Sequence, residues 1–447
     1  MSDILTILPL TTLIVLAILT RKMGESMIAA TLLAMLILHR GNFVLGTLDS
    51  FFQALSDYSF QFCMVFLISF GAVMKLFQES GGLTGLGNYV RRFVHGPRSA
   101  MLLSWLMDMI LFMDEYMNSL TVTFSMRNIT DKSGVPREHL AFHSNAMATS
   151  LCIAVPMTSW TAFSMNLIAS NGMEATDYFR AVPMMFYPIL MILLCLLLAA
   201  GLFPKLGVLK KAYDRVSSGG PALIREESEN SLVNLGELDE DNVSSPLNIL
   251  VPLAVIIGGT VYFDLNILAG IVAGLICQFV IYLPQKIMSL EDFFKHFFAG
   301  ASSMLTILII LFFGFVLNNA NSELGLYDLI IQLAGASVPA WLLPAVTFIT
   351  TGFLVFSTGS CWTIMLLSIP IFIPLSAEMG MDPVLTLAAL MSGVGLGYSM
   401  CFYGDTIFLS AAGSEVGNMT IVKTTLPYAI ILSLITVAGY VVLGLNM

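Results

Sequence analysis

The sequence predicts an all-α polytopic membrane protein with two inverted-topology repeats, about ten transmembrane helices, two re-entrant hairpins and two broken helices. Three observations support this fold class. Hydrophobic residues make up 57% of the 447 residues, and charged residues only 11%. Apolar runs of roughly 20 residues, the length that crosses a bilayer, recur along the whole chain. Lysine and arginine concentrate in alternate connections, as they do on the cytoplasmic side of membrane proteins.

The composition excludes several other classes of protein. Soluble domains carry about 25% charged residues, so this chain has lipid as its main solvent. The net charge of −10 owes much to seven acids between Glu226 and Asp241, and so it describes one loop. The six cysteines lie in apolar runs without CxxC spacing. We therefore expect free buried thiols, no metal cluster, no cofactor and no nucleic-acid partner.

The first repeat is assigned to residues 1–203. Its first apolar run follows Asp3 instead of a basic region and precedes Arg21 and Lys22, so we interpret it as a retained helix with its N-terminus outside. The expected elements are helices at 4–20, 26–38 and 60–78, a hairpin at 99–126, a broken helix at 139–170 and a helix at 181–203.

The apolar block at 99–126 has basic residues on both sides. They are Arg91, Arg92 and Arg98 before the block, and Arg127, Lys132 and Arg137 after it. Because both ends should then be cytoplasmic, the block enters and leaves on one side. We expect a re-entrant hairpin whose tip lies at the polar residues Asp114 to Ser119, where the broken backbone must be buried in protein or face water.

A linker at 204–246 joins the repeats and is expected to be a solvated cytoplasmic connector, because it is basic, then rich in Ser and Gly, then acidic.

The second repeat is assigned to residues 247–447. Its expected elements are helices at 247–263, 266–283 and 298–318, a hairpin at 339–377, a broken helix at 384–415 and a helix at 425–445. Acidic flanks place this hairpin outside, with its tip at Ser357 to Cys361.

Each repeat has about five crossings and one hairpin, and an odd number of crossings inverts the second repeat relative to the first. The local sequences agree, because Phe70–Leu76 is echoed by Phe313–Leu317 and a glycine-containing turn follows each. We expect a multi-pass protein of the inner (plasma) membrane, in contact with the lipid bilayer, with both termini outside and homodimer formation as an option.

The two broken helices are interrupted at Ala154–Trp160 and at Cys401–Thr406. Unwound backbone near the membrane midplane is how secondary transporters bind small ions, so the hairpin tips and these breaks should meet. A hard cation prefers oxygen ligands. The sequence therefore predicts a Na⁺ site from carboxylate, hydroxyl and amide side chains at these points: Asp405, Thr406, Asn118, Ser119, Thr358 and Ser360.

Ionisable side chains within hydrocarbon are expensive and are functional candidates by default. Asp114, Glu115 and His143 are the candidates for coupling or for carrying a proton. For each of them a structural role is the alternative: an acid can pair with a cytoplasmic arginine, and a histidine can pack between helices. Asp405 has a similar alternative, which is capping of the half-helix that follows it.

The sequence resembles the NhaC-type Na⁺/H⁺ antiporter family over nearly its whole length. The resemblance lies in FMDEYMNSLTVTFSMRNITD (112–131), PMTSW (156–160), STGSCW (357–362), DTIFLS (405–410) and KTTLPY (423–428). It implies paired re-entrant hairpins and exchange of Na⁺ for H⁺. It also implies an alternative, because members are similar to carriers that couple amino acids or carboxylates to Na⁺ or H⁺.

Two departures from the family pattern favour that alternative. The acid-rich run before the second break keeps only Asp405, and the acid expected in the first broken helix is Asn145. A Na⁺-coupled symporter or exchanger of a small organic solute is therefore the second hypothesis, with a substrate pocket formed by Asn145, Thr158, Ser159, Trp160, Trp362, Tyr398 and Tyr403. An intramembrane aspartyl protease using Asp114 and Asp405 is a remote third, because neither acid lies in that class's signature.

Overall fold

A computed structural model describes residues 3–20, 22–223, 243–263, 266–326, 329, 338–402 and 404–446. All regular secondary structure in these ranges is helical. Within the described residues, eight helical spans are long and apolar enough to cross a membrane, or nine when Asp177–Met184 and Phe186–Ala199, bent by 54°, count as one. This confirms the predicted fold class, an all-α polytopic membrane protein.

The helices of the first half are α1 (Asp3–Thr20), α2 (Met23–His39), α3 (Phe43–Ser56), α4 (Tyr58–Glu79), α5 (Gly82–Val90), α6 (Pro97–Ile110), α7 (Glu115–Lys132), α8 (Arg137–Ala154), α9 (Ser159–Ala169), α10 (Asp177–Ala181), α11 (Phe186–Ala199) and α12 (Gly207–Ser217). Those of the second half are α13 (Leu247–Tyr262), α14 (Ile267–Tyr282), α15 (Leu290–Ser303), α16 (Leu305–Glu323), α17 (Leu343–Thr358), α18 (Cys361–Glu378), α19 (Pro383–Met400), α20 (Asp405–Ser414) and α21 (Asn418–Leu445).

The first hairpin consists of α6 and α7. Met101 near its start packs with Val135 just beyond its end, and Ala199 at the end of α11 joins the same cluster. Both ends of this hairpin therefore lie on one face of the molecule, called the linker face here because residues 199–213 also lie there. The turn spans residues 111–114, earlier than the predicted tip, because Asp114 caps α7 and the polar residues after it are helical.

The second hairpin consists of α17 and α18, and it turns at Gly359, whose φ of 70° is in the left-handed region that favours glycine. The backbone of Trp341, which precedes the hairpin, lies directly against Gly444 at the end of α21. Earlier in α21, the hydroxyl group of Tyr428 accepts a hydrogen bond from the backbone amide of Leu206 at the linker face, over 2.8 Å. The hairpin therefore begins on the side away from the linker face, which we call the opposite face.

The broken helices pair with the hairpins in a matched way. The first broken helix is α8 and α9, separated by residues 155–158, and the second is α19 and α20, separated by residues 401–404. The α7 helix packs against α8 and against α20, while α18 packs against α19 and against α9. Each hairpin thus contacts the first half of one broken helix and the second half of the other. An inverted repeat would produce this pairing, and the repeat boundaries stay a prediction.

Part of the segment predicted as a solvated connector is helical and packed. The α12 helix buries Leu209 and Ala212, and the hydroxyl group of its Tyr213 lies 2.7 Å from Nδ1 of His139. Charged residues gave this segment a loop-like composition, but their spacing on α12 leaves one apolar side. Short helices α3 and α5 were also not expected from the apolar runs. The acidic part of the linker lies outside the described residues.

The α17 and α19 helices approach closely through glycines. A Cβ atom at Gly393 would lie 2.5 Å from the carbonyl oxygen of Phe348, and one at Gly397 would overlap the carbonyl oxygen of Gly352. Gly393 and Gly397 are four residues apart and therefore lie on one side of α19. Small residues at this spacing let helix backbones meet in membranes. The second hairpin and the second broken helix are consequently held as one unit.

We predict that Gly397→Ala lowers the stability of the protein by about 1–3 kcal/mol, because a backbone carbonyl cannot move unless the helices separate. Gly395→Ala on the same helix is the control, since its Cβ would meet side chains and not backbone: Cδ1 of Ile153 at 3.0 Å, which can turn away, and Cδ1 of Tyr187 at 3.6 Å, an ordinary contact. Thermal unfolding of both variants in detergent checks the difference. Equal losses in the two variants would contradict the close backbone contact.

Candidate functional site

Ser119 lies where the first hairpin meets the second broken helix. Its hydroxyl group is 3.3 Å from the carbonyl oxygen of Thr406 and hydrogen-bonds with the hydroxyl group of Ser410. The hydroxyl group of Ser144 donates to the carbonyl oxygen of Ser119 over 3.2 Å. All four residues are buried. The structure therefore brings together predicted ligands from residues nearly 300 positions apart in the chain, on α7 and α20.

Two residues that adjoin this contact, one on each helix, carry a side-chain oxygen with no hydrogen-bond partner among the described residues. The two oxygens are Oδ1 of Asn118 and Oγ1 of Thr406. The amide nitrogen of Asn118 donates to the carbonyl oxygen of Asp108 over 2.8 Å, which leaves the oxygen available. A buried oxygen without a partner costs about 1–3 kcal/mol, so each of these two oxygens is expected to meet a water molecule or a cation. Asp405 begins α20, one residue before Thr406.

Asp114 and Glu115 are both buried at the turn of the first hairpin. Oδ1 of Asp114 accepts hydrogen bonds from the backbone amides of Tyr116 and Met117, each at 3.0 Å, so this carboxylate caps α7. Cys152 on α8 lies 3.7 Å from Oε2 of Glu115. Two adjacent buried carboxyl groups disfavour being ionised together because like charges repel, so this pair is a candidate for binding and releasing a proton.

His143 faces the first hairpin and is fully buried. Its Nε2 lies 3.3 Å from Oδ2 of Asp108, which is also fully buried, although the two atoms lack hydrogen-bond geometry. His139 lies one turn away, and the two imidazole rings are 6.1 Å apart. The predicted proton candidate thus has a carboxylate neighbour, Asp108, that was not among the predicted site residues.

The two broken helices cross near the start of the second break. The amide nitrogen of Asn145 donates to the carbonyl oxygen of Ser399 over 3.1 Å, and the hydroxyl group of Tyr187 lies 3.2 Å from Oγ of Ser399. The rings of Trp160 and Tyr398 meet edge to face with centroids 5.2 Å apart. Asn145, Trp160 and Tyr398 are therefore brought close to one crossing. Oδ1 of Asn145 and Nε1 of Trp160 have no hydrogen-bond partner among the described residues.

The first break also holds the turn of the first hairpin. The backbone amide of Ser159 donates to the carbonyl oxygen of Met113 over 3.2 Å. Thr158 caps α9, and its hydroxyl group accepts from the backbone amide of Thr161 over 3.2 Å. Thr158 and Ser159 therefore fix the break against the hairpin, while Oγ of Ser159 lacks a partner among the described residues.

Thr358 and Ser360 are not linked to the group around Ser119 by any described hydrogen bond. Thr358 donates to the carbonyl oxygen of Leu354 over 2.8 Å, and Ser360 donates to Oγ1 of Thr363 over 3.0 Å. Both contacts stay within the second hairpin. Its Trp362 packs against Phe163 of α9, with centroids 5.1 Å apart. The predicted pocket residue Tyr403 lies outside the described residues.

A cavity of about 330 Å³ lies beside the first break, between that break and the remaining helices. Its walls include Pro156, Met157 and Asn166 on one side and Tyr58 and Asn266 on the other. Ala175 and Phe179, from the connection that precedes α11, also line it. Because α11 ends at the linker face, this cavity lies toward the opposite face. None of the predicted pocket side chains lines it.

A group of ion pairs lies at the linker face and joins α7, α8 and the end of α20. Arg137 at the start of α8 lies 2.8 Å from Asp131 and 2.8 Å from Glu415, which also pairs with Arg127 at 3.1 Å. Arg137 is buried, and it donates to the carbonyl oxygen of Ser414 over 3.2 Å. Glu415 has a φ of 60°, which is strained for a residue with a side chain. These contacts tie α7, α8 and the end of α20 together.

The sequence offers the hydroxyl group of Ser410 beside Asp405 and Thr406, because it lies four residues after Thr406 on one helix side. Ser144, Ser399 and Tyr187 were not predicted and carry no comparable signal, because a hydroxyl group in a helix can also bond to a carbonyl of its own helix. Among the described residues, no three His, Cys, Asp or Glu side chains form a group that could hold a metal ion.

Comparison with known proteins gives one family match. The model of the Na⁺/H⁺ antiporter family matches residues 151–445. An uncharacterized protein of Haemophilus influenzae is 25% identical over 488 residues, which cover 99% of this chain and 91% of that protein. The crystal structure of the Alcanivorax borkumensis YdaH transporter, described as having an unusual topology, superposes with a TM-score of 0.57 at 15% identity, covering 90% of this chain and 88% of that one.

A second solved structure is more distant. Neisseria gonorrhoeae MtrF, described as illuminating a class of antimetabolite efflux pumps, gives a TM-score of 0.40 at 12% identity, covering 85% of this chain and 82% of that one. That likeness is too low to carry an argument. The likeness to YdaH shows a shared fold.

Proposed function

Because this chain belongs to the Na⁺/H⁺ antiporter family, we propose that it is a Na⁺-coupled secondary transporter of the NhaC type that exchanges Na⁺ for H⁺. Membership of this family indicates a membrane transporter. The sodium coupling, the exchange and the mechanism below are our proposals. We also propose that both termini lie outside, that the linker face is cytoplasmic, and that the membrane is the inner (plasma) membrane.

The observation that carries the proposal is the contact between Ser119 and the start of α20. It brings the hydroxyl groups of Ser119 and Ser410 together, and the adjacent residues Asn118 and Thr406 each carry a side-chain oxygen without a partner among the described residues. Oxygen ligands without a soft sulfur or imidazole group suit a hard cation such as Na⁺. We infer that Na⁺ binds here, and that Asp405 supplies the negative charge.

Proton exchange is assigned to the Asp114–Glu115 pair, one turn before Asn118 in α7. We infer that these two adjacent buried carboxyl groups hold one proton between them, and a cation arriving nearby would favour loss of that proton because like charges repel. Na⁺ binding and proton binding then oppose each other through one short helix segment. Asp405 is the second residue that could exchange Na⁺ for a proton.

In the proposed alternating-access mechanism, the site opens in turn to the opposite face and to the linker face. The hairpins and broken helices move as a unit against a scaffold of the remaining helices. The cavity beside Pro156 and Asn166 gives access from the opposite face, while the ion pairs of Arg137 close the linker face. Breaking those pairs and closing the cavity would reverse the access.

A Na⁺-coupled carrier of a small organic solute is the second candidate function. The observation that favours it is the crossing of the broken helices, where the oxygen of Asn145 and the indole N–H of Trp160 have no partner among the described residues. An amide and an indole can bind a carboxylate or an amino group, whereas an exchanger of ions alone has no use for them. Thr358 and Ser360 at the second hairpin would then order this pocket. A homodimer stays an untested expectation.

Proteoliposomes with an internal pH dye test the proposal. An inward Na⁺ gradient is expected to make the lumen alkaline with no organic solute present, because each Na⁺ that enters drives protons out. Liposomes without protein are the control. If Na⁺ enters only when an amino acid or dicarboxylate is added, the second candidate function replaces antiport. If no solute and no ion moves, both are wrong.

We predict that Ser119→Ala raises the Na⁺ concentration for half-maximal flux by about tenfold, which corresponds to losing one hydroxyl ligand. Ser104→Ala is the matched control, because Ser104 is buried in the same hairpin and bonds only to the carbonyl oxygen of Ala100, at 3.0 Å. An equal change in both variants would assign the effect to packing of the hairpin and contradict a Na⁺ ligand at Ser119.

A further inference from the structure

A second cavity, of about 670 Å³, opens on the linker face and is separate from the proposed transport site. It lies between the start of the first hairpin and the chain that follows α11. Its walls include His95, Arg98, Gly201, Lys205 and Tyr213. The cavity is thus basic on both sides, and the proposed transport mechanism does not use it.

The two strong cations of this cavity have no carboxylate ion pair among the described residues. Nζ of Lys205 lies 3.1 Å from the ring centroid of Tyr213, so its near neighbour is an aromatic face. Arg98 approaches the backbone of Gly201 on the other side. Burial and the charge of Arg98 lower the pKa of the Lys205 amine, and Asp214 only partly opposes them. The cavity therefore holds excess positive charge that an anion would relieve.

The N-terminus of α6 adds to the positive electrostatic potential in this cavity. The α6 helix begins at Pro97, and Pro97, Arg98 and Ser99 line the cavity. The hydroxyl group of Ser99 accepts from the backbone amides of His95 and Gly96 over 2.8 and 2.9 Å, which fixes the start of the helix. The positive end of a helix dipole attracts anions, and phosphate groups in particular.

Apolar side chains continue from the cavity toward the membrane. Leu102 and Leu106 follow Arg98 at intervals of four residues on α6, and they are 37% and 46% exposed. Leu193 on the neighbouring α11 is 46% exposed. The two helices are joined where the indole N–H of Trp105 donates to the carbonyl oxygen of Ile192 over 3.3 Å. Eight residues of α6 span about 12 Å, so this surface reaches into hydrocarbon.

We propose that this cavity binds the phosphate group of an anionic phospholipid, with its acyl chains against the exposed leucines of α6 and α11. Arg98 and Lys205 hold the phosphate, and the start of α6 donates the positive end of its dipole. A free phosphate has the same headgroup chemistry but gains nothing from the leucines. Two unneutralised cations favour a lipid with net negative charge over a zwitterionic one.

The test uses the full-length protein in nanodiscs or detergent with defined lipids. Binding of phosphatidylglycerol and of phosphatidylcholine with the same acyl chains is measured by native mass spectrometry, and inorganic phosphate forms a separate arm. Phosphatidylglycerol is expected to bind at least about tenfold more tightly than phosphatidylcholine. The double variant Arg98→Gln, Lys205→Gln is expected to lose that preference.

The matched control is Lys210→Gln, Lys295→Gln, which removes the same charge from two exposed residues that do not line the cavity. It should keep the preference for phosphatidylglycerol. Equal losses in the two double variants would mean that general surface charge attracts the lipid, and the site would be wrong. Binding of inorganic phosphate as tight as that of the lipid would overturn the assignment to a phospholipid. Size-exclusion profiles confirm that each variant is folded.

Discussion

Replacing Asp405 by asparagine is expected to lower Na⁺-coupled flux by about 100-fold or more. In our proposal Asp405 supplies the negative charge at a site whose other ligands, on Ser119, Thr406 and Ser410, are neutral. Loss of one partner from a buried ion pair costs about 3–5 kcal/mol, and 1.4 kcal/mol corresponds to a tenfold change. The measurement is the initial rate of Na⁺ uptake into proteoliposomes as a function of Na⁺ concentration.

Asparagine separates this role from helix capping. Asn and Asp cap helices about equally well, so the substitution preserves any cap at the start of α20. Asp382→Asn is the control, because Asp382 caps α19 through a bond of 2.9 Å from the backbone amide of Val384. The control should transport normally. If Asp405→Asn also keeps its Na⁺ dependence, the charge of the cation site lies elsewhere and the assignment of Asp405 fails.

The second large effect is expected from Arg137→Gln. Arg137 is buried and holds two carboxylates, so the substitution breaks the link between α7, α8 and the end of α20. Asp131 and Glu415 are partly exposed, which reduces the expected loss of stability to about 2 kcal/mol. The greater effect is on access, because the linker face then opens toward the second break.

Cys401, which is buried at that break, reports on access. In a protein whose other cysteines are replaced, Arg137→Gln should raise the rate of maleimide labelling of Cys401 from the linker face by about tenfold, as a population shift of roughly 1.4 kcal/mol would. Arg180→Gln is the control, because Arg180 is exposed and pairs with Asp177 within three residues. Unchanged labelling in Arg137→Gln would show that these ion pairs do not control access.

Hydrophobicity and charge predicted the all-α membrane fold, but they assigned one polar stretch of a buried helix to a turn. The polar stretch after Asp114 was interpreted as the tip of a hairpin, because polar residues usually interrupt apolar helices at turns. It is helical, since Asp114 caps α7 and the side chains of Asn118 and Ser119 face other buried helices. A polar face buried against distant helices looks like a turn when only neighbouring residues are considered.

The candidate site was predictable in part for the same reason. Ser119 and Thr406 were expected to meet because a hairpin and a break should converge, and the structure places them in contact. Thr358 and Ser360 were added by the same argument, but their described hydrogen bonds stay within the second hairpin. The topology predicts that the hairpins and the helix breaks meet. It does not predict which side of each helix faces the meeting point, because that depends on packing against helices distant in the sequence.

The contact between Ser119 and α20 also has a consequence for biosynthesis. The partners of Ser119 on α20 are 287 and 291 positions later in the chain. At about 5–20 residues per second, a ribosome needs roughly 15–60 s to make that stretch. During this time the hydroxyl group of Ser119 lacks the helix that later covers it. This contact can therefore form only after most of the chain has been translated.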